Sequence, residues 1–326
     1  MRKIPLIAAL VLYASACLAG GAEAADRLRI AIQKTGTAAW EIALMKSRGL
    51  DKAAGLDIET TELASTDAGK IALEGGGADM IISDWLWVAR ERGLGDKLLF
   101  TPYSSALGAV MAPKDSPIHA LTDLAGRSIG VAGGPLDKSW LLLRAAALRA
   151  GLDLAKNARP VYGAPPLLAE KLAQRETDAA LEYWNFCADL ERRGFRRVIE
   201  MSDVEKTLGA AGPVAMTGYV FSESFAAAHK DVLRRYFAAA AEARKTLAQD
   251  PGAWAPIKTR LGLKDDATLE VYRKRYLAGV PKRTVAEQAV DARVLFRALA
   301  DIGGKALVGE GTEFDTGLFY DPNPDG

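Results

Sequence analysis

Short apolar runs alternate along the first third of the chain with stretches in which apolar residues recur every three or four positions. "LRIAIQ" (28–33) reads as a strand, the polar turn "KTGTAA" follows, and "WEIALMKSRGL" then reads as a helix stopped by Gly49 and Gly55. "LDIETTEL" (56–63) is a second strand. "STDAGKIALEGG" is a second helix opened by Ser65, Thr66 and Asp67, and "ADMIISD" is a third strand. Apolar runs bounded by turn residues and separated by helical stretches predict βαβ units, hence a parallel sheet.

The same grammar returns further on. "RSIGVAGG" (127–134) is a strand ending in glycines and "DKSWLLLRAAALRAGL" (137–152) a helix stopped by Gly151. "ARPVYGA" is a strand, "PPLLAEKLAQRE" a helix with proline at its entrance, and "TDAALEYWNF" (177–186) a third strand. Asp79-Met80-Ile81-Ile82-Ser83-Asp84-Trp85 aligns with Asp178-Ala179-Ala180-Leu181-Glu182-Tyr183-Trp184, so each unit ends its third strand on a carboxylate and a tryptophan. Between the units, "LLFTPYSSALGAVMAPKDSPIHALTDLAG" holds the strand-like "ALGAVMAP", a proline turn and the short helix "LTDLAG". "AAGPVAMTGYVFS" after the second unit is extended, and the rest is mostly helical: "ESFAAAHKDVLRRYFAAAAEARKTLAQD", "DDATLEVYRKRYL" and "TVAEQAVDARVLFRALADIG". Two extended crossings flanking a complete βαβαβ unit predict one lobe inserted into another, the chain passing between them near 104–110 and 213–219.

The beginning of the chain sets the compartment. Arg2 and Lys3 precede an apolar run from Ile4 to about Leu18, and Ala22-Glu23-Ala24 follows as an A-x-A cleavage signal. This predicts an exported, periplasmic protein whose mature chain starts near Ala25. Cys17 offers a lipid-anchored alternative, although Ala14-Ser15-Ala16 lacks the large aliphatic residue that such a signal prefers. Cleavage removes two basic residues and one acidic one, leaving a formally neutral chain, so neither nucleic acid nor an acidic surface is the expected partner. Cys187 is then the lone cysteine and stability must come from burial. A mature chain of about 300 residues exceeds the usual single core, which agrees with two lobes.

At this point the sequence resembles a known family, the solute-binding proteins of ABC importers in the nitrate, sulfonate, taurine and thiamine-precursor group. The resemblance runs over nearly the whole mature chain. Its most specific piece is "VMAPKDSPIHALTDLAGRSIGVAGG", and "IAIQKTG", "GGADMIISDW", "RETDAALEYWNF" and "FSESFAAAHKDVLRRY" agree with it. It implies an α/β, bilobed type II periplasmic-binding-protein fold with two parallel-rich mixed sheets flanked by helices and two hinge crossings. The leader would be 1–24, the first lobe 25–107 with 216–326, and the inserted second lobe 108–215. The resemblance also implies a small-molecule ligand, a membrane permease as partner, and no catalysis; a monomer without cofactor or metal is expected.

Ligands of open α/β sheets sit outside the carboxyl ends of the strands. The candidate contacts are therefore Gln33, Trp40, Asp84, Trp85, Tyr103, Ser104, Gly134, Asp137, Ser139, Trp140, Glu182, Tyr183 and Trp184. Asp84 reads equally as an N-cap, and capping can coexist with ligand contact. Gly133 and Gly134 offer amides ahead of a helix as an anion cradle, but Asp137 sits where such an anion would bind unless Lys138 compensates. Strand alternation sends Glu182 and Trp184 to one side and Tyr183 to the other. A buried Glu182 needs a partner, either an arginine or a cationic or hydrogen-bonding ligand.

Three carboxylates and four tryptophans against few cations favour an amine-bearing or heteroaromatic ligand, such as a thiamine-precursor pyrimidine, stacked on the rings. The alternative within the same fold is a sulfonate, taurine or nitrate. Three other readings compete, one of them a lobe-closing sensor subunit that signals without transport through the same cleft. An enzyme resembling the thiamine-pyrimidine synthase would need a cysteine-rich motif and an active-site histidine, which one mature cysteine with His119 and His229 does not provide. A metal carrier would need six or more oxygens, which tryptophans do not supply.

Overall fold

The computed structural model describes residues 25–311 and 313–323. The leader, its cleavage site and Cys17 lie outside the described residues. Ten strands form two five-stranded mixed sheets. In chain order they are β1 (Asp26–Gln33), β2 (Leu56–Leu63), β3 (Met80–Asp84), β4 (Leu98–Ser104), β5 (Gly108–Ala112), β6 (Ser128–Ala132), β7 (Arg159–Gly163), β8 (Ala179–Tyr183), β9 (Arg196–Glu200) and β10 (Thr217–Ser222). The first sheet has the order β2-β1-β3-β10-β4 and the second β7-β6-β8-β5-β9. Each is therefore a parallel βαβαβ unit, one antiparallel strand, and an edge strand, in the same spatial order. The antiparallel strand always arrives from the other sheet. The chain leaves the first at Ser104 and enters the second at Gly108, then leaves the second at Glu200 and rejoins the first at Thr217.

The helices that matter to the site are α1 (Ala38–Ser47), α2 (Thr66–Glu74), α3 (Trp85–Leu94), α4 (Lys138–Arg149), α5 (Pro165–Ala173), α6 (Trp184–Arg192), α7 (Lys230–Gln249), α8 (Asp266–Gly279) and α9 (Val285–Gly303). Central strands are apolar because they are covered on both faces: Met80, Ile81, Ile129, Val131, Ala179 and Ala180 are all fully buried. Among the described residues no helix is long and apolar enough to cross a membrane.

Several local expectations change. The third strand of the second unit stops at Tyr183 and Trp184 begins α6, so strand alternation does not govern the Trp184 side chain. The long helix expected from Glu223 breaks at His229 into Glu223–Ala228 and α7. Helix α9, in the stretch expected to join the first lobe, packs against α4 of the second sheet, and the short helix Lys305–Val308 that follows it packs against α3 of the first. The C-terminal region thus straps the two halves together.

The repeat extends to individual bonds. Asp79 accepts from the backbone N–H of Arg29 at 2.8 Å, and Asp178 accepts from the backbone N–H and hydroxyl of Ser128 at 2.7 and 2.8 Å. Each aspartate pins the start of the third strand of its unit to the first strand. Burial works to raise both carboxyls, but hydrogen bonds from Arg29 and from Ser128 outweigh it and hold both below the usual carboxylate range. A depressed native pKa gives stability that is present above the unfolded value, about 4, and is lost as the pH falls through the native one. Asp178→Asn is therefore expected to lower the unfolding free energy at pH 7 by about 1 kcal/mol, discounted for partial exposure. Urea melts should show the gap to the unsubstituted protein closing below about pH 3; a gap that stays constant with pH would remove the ionic contribution.

Candidate ligand-binding cleft

The carboxyl ends of β1, β3 and β4 face the carboxyl end of β8 across a small cavity of about 90 Å³. Residues 32, 33 and 35–38 with Thr66, Ile82–Asp84 and Tyr103–Ser104 form one side, and Lys138 with Tyr183–Phe186 the other. Ala106 and Leu107 from the first crossing and Thr217 from the second close the base.

Helix capping decides the electrostatics. The Asp84 side chain accepts from the Trp87 N–H at 2.8 Å and closes the start of α3, while still lining the cavity. Asp137 does the same for α4, accepting from the Ser139 N–H at 2.9 Å, and it also accepts from the Tyr183 hydroxyl at 2.9 Å. Ser65 caps α2, whose Thr66 also lines the cavity, but two further helices there have no side-chain cap: the N-caps of α1 and α6 are Thr37 and Tyr183, and neither side chain bonds its helix. Each uncapped N-terminus carries the equivalent of roughly half a positive charge. Between them lies Lys138, 14% exposed, with Nζ 3.5 Å from Asp137 and 4.9 Å from the centre of the Tyr183 ring.

The remaining lining is neutral and polar. Gln33 donates to the Thr66 hydroxyl at 2.8 Å, and the Thr37 and Tyr103 hydroxyls lie 3.2 Å apart. Burial holds the Tyr103 phenol well above its ordinary pKa, and burial with Asp137 does the same for Tyr183, so both remain hydrogen-bond donors. Below Tyr103, buried Glu41 in the first turn of α1 accepts from Tyr276 and lies 3.7 Å from Arg244, which anchors the helix whose N-terminus points at the cavity.

Of the positions expected from sequence, Gln33, Asp84, Tyr103, Ser104, Tyr183 and Trp184 line this cavity. Others do not, and each has a physical reason. Trp85 is fully buried, its ring edge-on to Phe314 at 5.5 Å, and Trp140 packs on Tyr162 at 6.4 Å in the second lobe. Trp40 turns into an aromatic cluster of the first lobe, against Trp254 at 6.0 Å and Tyr276 at 6.0 Å. Gly134 stands away from the lining, and the Gly133 N–H is already given to Gly163 at 3.1 Å, so the expected glycine cradle is not available there. Asp137 and Ser139 act through the α4 cap rather than at the wall.

Glu182 is the sharpest departure. It points with Ala180 and Cys187 into a small core under α5 and α6, 1% exposed, and neither oxygen finds a hydrogen-bond partner among the described residues. Burial holds its carboxyl well above the usual range and favours the neutral form, so it presents no charge to the cavity. Thr66, Asn185, Phe186 and Thr217 are lining residues that the strand-end rule passes over. Asn185 and Phe186 follow from the first turn of an uncapped helix. Thr217 starts an antiparallel strand opposite Asp84 and Ser104, so its amino end, not its carboxyl end, meets the cleft.

The comparisons with known proteins agree with this architecture. The family described as NMT1/THI5 like matches residues 41–253, more than half of the chain. No curated protein sequence matches the chain. Among solved structures, the alkanesulfonate-binding protein SsuA from Xanthomonas axonopodis pv. citri bound to MOPS has a TM-score of 0.71 at 19% identity, covering 90% of this chain and 98% of that one. The periplasmic aliphatic sulphonate-binding protein SsuA from Escherichia coli gives 0.65 at 19%, covering 89% and 94%. The ligand-binding component of an ABC-type import system from Staphylococcus aureus, with zinc bound, gives 0.65 at 12%, covering 90% and 97%. At these identities the likeness concerns the fold.

Proposed function

Because the chain belongs to the NMT1/THI5-like family, we propose that it is the exported solute-binding subunit of an ABC importer, closing its two lobes on a small organic anion of the sulfonate kind and delivering it to a membrane permease. One observation carries the ligand class: Lys138 and the uncapped N-termini of α1 and α6 face a single cavity, and of the three acidic residues that suggested a cation only Asp84 lines it, Asp137 lying behind the wall 3.5 Å from the Lys138 ammonium. Asp137 caps α4, and the burial of Glu182 favours its neutral form. Asp84 keeps one oxygen free for a donor on the ligand, which favours a donor-bearing anion over nitrate. The tryptophans that suggested a stacked heterocycle are packed in the cores, and of the four only Trp184 borders this cavity.

A binding role is also supported by Cys187. Its thiol is fully buried, donates to the carbonyls of Glu182 at 3.2 Å and Ala109 at 3.7 Å, and is pushed up to about 12 by burial, which withholds the thiolate that cysteine chemistry needs.

Calorimetry of ligand-stripped protein at about 0.1 M salt tests the reading. Alkane- and aminoalkanesulfonates are expected to bind, and Lys138→Met should weaken them by about tenfold or more, the worth of one charge-assisted hydrogen bond. Tight binding of aminopyrimidines or simple amines with none of sulfonates would overturn it.

A further inference from the structure

A second, larger cavity of about 790 Å³ adjoins the first, and Thr35, Asn185 and Phe186 bound both. Its walls come from both lobes. Phe186, Asp189 and Arg192 of α6 face Trp40, Tyr272 of α8, and the turn 260–265 that carries Leu261 and Leu263. Sites that enclose a small organic molecule measure about 300–1,000 Å³. The inner cavity falls well short of that range and the outer one lies within it. An anion seated against Lys138 therefore fills the inner space with its head group, and anything attached to that head must leave past Phe186 into the outer chamber.

Resting on the reading above, we propose that the outer chamber is the binding site for the body of the ligand, and that the ligand is a sulfonate-type anion bearing an aryl or cyclic apolar group rather than a short alkyl one. Phe186, Leu261 and Leu263 are only half-buried and border this space, Leu261 and Leu263 with their other side on the first-lobe core and Phe186 in no core cluster among the described residues. The charges around it are largely self-satisfied: Arg260 pairs with Glu62, Arg192 with Asp189, and Asp265 accepts from the Thr268 N–H and hydroxyl at 2.7 and 3.1 Å. A neutral ring thus costs the rim little desolvation. Lys34 and Lys264 make no ion pair among the described residues and give the mouth a surplus of positive charge, matched to an anion passing through it. Each methylene buried there is worth about fourfold in affinity.

The test is calorimetry of the mature protein with methanesulfonate and with phenylalkylsulfonates of increasing length. The phenylpropyl compound is expected to bind about tenfold or more tighter than methanesulfonate. Leu263→Ser should erase that gain while leaving methanesulfonate within about twofold, with Leu261→Ser as a second variant should the first fold poorly. Equal affinity for all lengths, or a gain that survives both substitutions, overturns the chamber while leaving the head-group reading intact. If no sulfonate of any length binds, the head-group reading fails and the chamber falls with it.

Discussion

Gly108→Ala is expected to destabilise the protein by roughly 4 kcal/mol or more, at the extreme of what single substitutions do. Gly108 begins β5 with φ at +143°, a backbone conformation held almost only by glycine. A Cβ built there would lie 1.9 Å from the carbonyl oxygen of Glu182 and 3.0 Å from the amide of Trp184. Both atoms are backbone, so neither can swing aside. The neighbouring Leu107 carbonyl accepts from the Trp184 N–H at 2.9 Å, which means that the contact fixes the start of α6 as well as the register of β5 on β8. Thermal melts should fall by roughly 8 °C or more. Gly134→Ala is the control: no atom lies within 4 Å of its Cβ position and its φ is not positive, so it should change stability by no more than about 0.5 kcal/mol. Equal melting of the two variants would contradict the close approach at Gly108.

The central strands were legible because doubly covered strands must be apolar throughout, as in "ADMIISD" and "TDAALEY". Two of the four edge strands were not. β9 reads "RRVIE" and is only half-buried along its length, and β4 carries Pro102, so each owes its conformation to pairing with β5 or β10 rather than to its own pattern. The site was legible as a set of strand ends but not as a set of side chains. Trp85, Trp140 and Trp184 all fall in the first turn of a helix after a strand, or one turn from it, and sequence gives no sign that the first two rotate into the core while the third keeps an edge at the cavity. The anion proposed above departs from the amine expected from sequence for a related reason. Counting carboxylates treats Asp84, Asp137 and Glu182 alike, whereas one caps a helix at the wall, one caps a helix behind it, and one is buried away from the cavity where desolvation favours the neutral form. A helix N-terminus without a capping side chain adds positive potential that no residue count records.

Trp184→Ala is expected to open the cleft. Trp184 comes from the second lobe, yet its ring is 7% exposed within the aromatic cluster of the first, edge-on to Trp40 at 5.8 Å and to Tyr272 at 6.3 Å. The α6–α8 contact beside it adds the Glu191–Arg275 ion pair at 2.9 Å, partly exposed and therefore a minor contributor. Separating the lobes would break the two aromatic pairs, so their loss falls on the closed form rather than on either lobe alone. At about 0.5–1.5 kcal/mol per pair beyond burial, the closed state loses roughly 1–3 kcal/mol. If ligand binds only the closed form, its affinity drops by about one to two orders of magnitude, because apparent affinity scales with the competent fraction. Small-angle scattering of ligand-free protein should show a larger radius of gyration for Trp184→Ala, and Trp184→Phe, which restores an aromatic edge, should recover most of the affinity. Unchanged scattering together with unchanged binding would mean that Trp184 fills space without holding the lobes together, and closure would then rest on the ligand and on the α9 strap.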